Sequence, residues 1–218
     1  MREGKVYGIV LIISVLGFLV VALAHPTGHQ ALSSPERLEQ VIFVTVLVHG
    51  VALVSIALSL LGLVGLSHRL GISRVEVTAA LIAFSLATVG VVCAALINGF
   101  VAPNLGRWML SEGESVQSLV GPLFRYNAML NRAFANFHVV SGSAAILAWS
   151  VSMIRIAFGR PAGWLGIVIA LGTVVALLGG PLQMDVHGMA IVVLSQGVWM
   201  AWVGVLLIRT RGGSRDST

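Results

Sequence analysis

Charge is what this chain has least of. Only 10% of its 218 residues are Asp, Glu, Lys or Arg, against about 25% in ordinary soluble domains. It has a single cysteine, Cys93, so no intrachain disulfide can form. Without a CxxC pair or a CxxCH run, a zinc ribbon and covalent c-type haem attachment are excluded. Cys93 stands inside an apolar run, where a thiol behaves as a small buried hydrophobe. No GxSxG setting, P-loop or GxGxxG fingerprint occurs, which removes the serine hydrolase and nucleotide-binding readings. The net charge of +5 is no nucleic-acid footprint, because the basic residues sit in turns and tails at the ends of apolar runs, where they orient a membrane protein.

What fills the chain instead is hydrocarbon. Fifty-seven per cent of the residues are hydrophobic and the mean hydropathy is +0.99. A helix needs about 20 apolar residues to cross a bilayer core, and such runs recur from end to end. Barrel strands would alternate in short pieces, and these runs do not. The chain is therefore expected to be an all-α membrane protein, a six-transmembrane-helix bundle forming one domain over 1–218. The spans are expected at 6–24, 41–66, 77–101, 133–154, 162–179 and 187–208, with a long outer loop over 102–132. In that loop Val116, Leu119, Val120, Leu123 and Phe124 suit an interfacial amphipathic helix, interrupted by Gly121-Pro122.

Lys and Arg set the orientation. Arg2, Lys5, Arg69, Arg74, Arg155, Arg160, Arg209, Arg211 and Arg215 collect on one side; Arg37, Arg107, Arg125 and Arg132 fall on the other. The richer side is expected to be cytoplasmic, with both termini inside, in a bacterial-type inner (plasma) membrane. Ala22-Leu23-Ala24 resembles a signal-peptide cleavage site, but the apolar run before it is longer than the usual h-region, so the first span is expected to be retained. Tyr7, Trp108, Tyr126 and Trp164 are expected as interfacial anchors.

One short pattern repeats. Val48-His49-Gly50 and Val186-His187-Gly188 each head an apolar run that ends in arginine, and Phe137-His138-Val139 is a looser copy. Pairing spans one with two, three with four and five with six gives three repeated helical hairpins, each with a histidine near the outer end of its second helix. From His49 to Arg69 is 20 residues, from His138 to Arg155 is 17 and from His187 to Arg209 is 22. At about 1.5 Å per residue the three imidazoles should lie within roughly 8 Å of one depth.

An imidazole in hydrocarbon needs a hydrogen-bond partner or a metal, and ionisable groups within spans are candidates for function. Three at one level match the three-His metal site with an open fourth position. Two, His49 and His138, match the axial ligands of haem b. Asp185 is either a further ligand or a carboxylate that fixes a histidine tautomer; its plain reading is the N-cap of the last span. His25 and His29 fall in an outer loop after the first span, where Pro26 and Gly28 make a turn. His68 lies on the opposite side. The expectation is a membrane protein binding haem or a transition metal near its outer face, with a redox or metal-handling role. The competing readings are a structural or assembly subunit, which leaves the histidines dispensable, and a small-solute carrier. The bilayer is the expected partner, with other membrane subunits or a homo-oligomer as further candidates and no nucleic acid.

Overall fold

The computed structural model describes residues 2–25, 35–111 and 114–209. These form helices α1 (Arg2–Ala24), α2 (Pro35–Leu70), α3 (Val75–Leu96), a π-helical turn (Ile97–Val101), α4 (Ala102–Ser111), α5 (Glu114–Arg155), α6 (Arg160–Leu178) and α7 (Val186–Arg209). No strand occurs among the described residues. Six helical segments are long and apolar enough to cross a membrane, α3 and α4 counting as one through the π turn. The protein is an all-α, six-span bundle, and its composition makes it a multi-pass membrane protein.

The segment 102–132, expected as a loop, is helical wherever it is described. Its polar residues lowered the hydropathy and so resembled a loop, but hydropathy reports burial rather than helicity. Pro122 does not end α5. It lies about two turns from the helix start, where the Ser118 carbonyl that loses its donor belongs to an exposed stretch. Pro103 has a local consequence. A proline has no N–H and its ring crowds the carbonyl four residues back, here that of Gly99. The chain widens at that point into a π turn, and Ala102 N–H reaches back five residues to Ile97 O.

Sequence neighbours pack side by side, and α1 closes on α7 to complete a ring. The first two hairpins, α1–α2 and α3–α5, are extensive pairs. In the third, α6 packs more fully on α5, and α7 on α1, than either does on the other. Backbone proximity explains the closure. A Cβ at Gly8 would come 2.5 Å from Gly204 O, and one at Gly204 would come 2.9 Å from Gly8 O. Small residues let helices approach this closely, and in lipid such packing substitutes for a hydrophobic driving force. The same contact puts the first turns of α1 beside the last turns of α7, so the start of α1 and the end of α7 share one end of the bundle.

That end, with Arg69, Arg155, Arg160 and Arg209, holds the larger core. Leu63, Leu66, Ile146, Trp149, Met153, Trp199 and Val203 are among its buried members. Trp149 and Trp199 stack with ring centroids 6.3 Å apart, and Trp149 Nε1 donates to Ser67 Oγ at 3.0 Å. The turn after α5 tucks Phe158 inward beneath the Arg69 guanidinium, 5.4 Å from its ring. Tyr7 packs its ring against Gly65. Trp108, Tyr126 and Trp164 are exposed. Around the ring Leu16, Phe43, Val54, Ile82, Val168 and Val198 point outward, an apolar belt that needs lipid to cover it.

Candidate functional site

His49 sits in α2 against the π turn. A Cβ at Gly99 would fall on the Cβ of His49, so only glycine leaves room for the histidine there. Its Nδ1 lies 2.8 Å from Thr45 O, one turn back on its own helix. A carbonyl accepts only, so Nδ1 carries the proton and Nε2 presents its lone pair. His138 is held the same way by a different helix, its Nδ1 donating to Ala87 O of α3 at 3.0 Å. Both side chains are buried. A backbone carbonyl on the far nitrogen is the arrangement that orients metal-binding imidazoles, although it equally satisfies a core histidine.

The expected convergence of His49, His138 and His187 at one depth is not what the helices produce. Along α3 and the π turn that continues it, the position facing the His138 backbone is Gly90 and the position facing His49 is Gly99, nine residues or about 13 Å of rise apart. A second ruler agrees. The Ser67–Trp149 hydrogen bond brings α2 and α5 level. From it His49 is 18 residues away and His138 only 11, a difference of about 10 Å. The helices are staggered, so counting back from each terminal arginine misjudged depth. His187 stands exposed in the first turn of α7. Among the described residues, no three His, Cys, Asp or Glu side chains are grouped to hold one metal ion.

Asp185 caps α7. Its Oδ1 accepts from Gly188 N–H at 2.8 Å, which occupies one of the orphan donors of the helix start. That bond, helped by the neighbouring His187, holds the Asp185 carboxyl below the usual carboxylate range.

What the sequence reading undervalued is His25. It follows directly on α1, and its backbone N–H donates to Val21 O at 3.0 Å, which holds it against the last turn of that helix. The ring meets His49 edge-on, with centroids 5.3 Å apart and planes at 68°. Pro26 disfavours the helical conformation at the residue before it, in keeping with α1 ending at Ala24 and His25 standing just beyond it. His29 lies outside the described residues. Nearby, Arg107 of α4 donates through two nitrogens to Glu39 of α2, at 2.7 and 3.0 Å, tying α4 to the same end of α2.

Compared with known proteins, the chain matches no family model, no curated protein and no solved structure.

The space beside His138 is a second, separate feature. A cavity of about 30 Å³ is lined by Phe18, Ser59, Thr88, His138, Gln196 and Met200, among others. His49 does not line it.

Proposed function

We propose that this multi-pass membrane protein binds one transition-metal ion at its histidine end through His49 and His25, in a metal-handling or redox role. The observation that carries the reading is the 5.3 Å separation of the two rings. Two imidazoles bound to one ion through bonds of about 2.0–2.1 Å, at a tetrahedral angle, have centroids about 5 Å apart. The carbonyl of Thr45 fixes His49 with Nε2 as its free lone pair, the form a metal requires. Two imidazoles suit zinc, copper, iron or nickel, with water or the substrate's own ligands completing the shell. The unequal Lys and Arg counts favour placing this end away from the cytoplasm, where an ion would be met from outside the cell.

Titration of the purified protein in lipid nanodiscs with Zn²⁺, and with Co²⁺ as a coloured substitute, tests it. One ion per chain is expected, with affinity lowered at least about tenfold in His49→Ala and in His25→Ala and unchanged in His187→Ala. Equal binding by all four proteins, or none, defeats the proposal and leaves the structural-subunit reading. A Soret band on haem addition that is lost in His49→Ala replaces it with haem ligation.

A further inference from the structure

At 42 residues α5 is the longest described helix, and an apolar stripe runs up its outward side. Leu123, Tyr126, Leu130, Ala133, Phe137 and Val140 follow one another at spacings of three, four, three, four and three. All are exposed except Leu130, which is half-buried; Tyr126 is 65% exposed and Val140 46%. The opposite side of the helix, with Ala135, Val139 and Ile146, enters the bundle. Spacings that alternate between three and four are those of a coiled-coil seam, which meets a second helix along one face. From Arg155 to Arg132 is 23 residues, about 35 Å of rise, slightly more than the hydrocarbon core of a bilayer. Ala133, Phe137 and Val140 therefore lie at membrane depth, where lipid can cover them. Leu123, nine residues outward of Arg132, stands roughly 13 Å above it, past the headgroup layer of about 5–7 Å. There the chain provides no cover of its own, since every residue from Gly121 to Tyr126 is exposed. Lipid cannot reach the upper part of the stripe, and a water-soluble partner cannot reach the lower part. Only another spanning helix that projects as far, with a matching seam, can cover both.

We propose that the occupant is α5 of a second copy, and that two chains pair through this helix, parallel and in register, from Leu123 to Val140. Copies of one chain insert in the same orientation, set by their Lys and Arg residues, so their two-fold axis runs along the membrane normal. About that axis every residue stands level with its own counterpart. Each seam residue thus meets itself, in the layered arrangement of a parallel two-stranded coiled coil. The charges suit self-pairing. Arg125 and Arg132 each stand one position before a seam residue, on the part of the heptad turned away from the partner. The positions beside the seam hold Asn127, Met129, Phe134 and Asn136, so no like charges are brought together. This inference does not depend on the metal reading.

Disulfide trapping of the purified protein in liposomes tests it, in a Cys93→Ala background that leaves only the introduced thiol. Tyr126→Cys lies in the seam, whereas Arg125→Cys and Ala128→Cys replace exposed side chains beside it. A disulfide needs Cα atoms within about 7 Å, so on mild oxidation Tyr126→Cys should give covalent dimer in at least about tenfold higher yield than the other two. Equal yields at all three positions show random collision and overturn the proposal, as does the absence of dimer in Tyr126→Cys. Native mass spectrometry from mild detergent gives a second reading with the seam intact. The wild-type protein should be a dimer, and Leu130→Arg, which places a charge in the seam of both copies, should be a monomer. A monomeric wild-type protein, or a Leu130→Arg protein that is still dimeric, overturns pairing through α5. Should Leu130→Arg fail to insert, the trapping comparison still decides.

Discussion

At the arginine end, two tryptophans stack over a serine hydroxyl, and backbones touch at Gly8 and Gly204. At the histidine end the buried apolar group is small, chiefly Ala135, Val139, Leu182, Met184 and Val192. There polar contacts tie the segments together, the Glu39–Arg107 pair and the His25–His49 contact, and the Asp185 carboxylate caps the start of α7. The π turn opens toward this second end as well, and such turns are often found at functional sites. The contrast separates two tasks. Close packing at one end holds the ring shut, which leaves the other free to carry polar groups whose positions follow from hydrogen bonds more than from steric fit.

If that division is right, the costliest single change lies far from every histidine. Trp149→Ala removes the stacked ring, empties the fully buried centre of the larger core and leaves Ser67 Oγ without its donor. It should cost about 3–5 kcal/mol, read as a shift in the unfolding midpoint in mixed micelles. A loss no greater than that of Val192→Ala at the opposite end would erase the distinction between the two regions.

The ring closure comes next. Gly8→Val drives a branched side chain into the Gly204 carbonyl and should destabilise the fold by about 1–3 kcal/mol. Its counterpart is Gly50, from the histidine-bearing tripeptide, where a Cβ meets nothing within 4 Å. Gly50→Ala should stabilise the helix by roughly 0.5–1 kcal/mol, since glycine in a helix interior carries an entropic penalty. The pair of unfolding midpoints should therefore move in opposite directions. A matching loss at Gly50 would mean that its glycine serves close packing too.

Why the fold was more legible than the site follows from what each depends on. Spanning helices are written in long apolar runs, so α1, α6 and α7 end within a few residues of where hydropathy puts them. Ring closure was not legible, since Gly8 and Gly204 look like any other small residues until α1 and α7 are side by side. The repeated histidine tripeptide was real as a pattern, but depth across a bundle depends on stagger. Nothing in a one-dimensional count reveals that Ser67 and Trp149 share a level. Gln196 illustrates the same limit from the other side. A glutamine in a span suggests an interhelical hydrogen bond, yet in the packed ring its amide nitrogen is buried without a partner.

The smallest effect probes whether polar groups at the histidine end are set by hydrogen bonds, and it uses Asp185. Its folded-state carboxyl lies below the usual range because the ionised form accepts the Gly188 N–H. Linkage fixes the sign: the ionised cap contributes its stability above the unfolded carboxylate value of about 3.9, and that contribution is lost as pH falls through the lower folded value. The amide resonance of Gly188, followed by NMR on lowering the pH, should stay put through the ordinary carboxylate range and move only below it. Asp185→Asn keeps a good capping oxygen but has nothing to titrate, so its Gly188 signal should stay flat throughout. If both proteins give the same curve, the carboxylate is not what holds Gly188, and the start of α7 is positioned by packing after all.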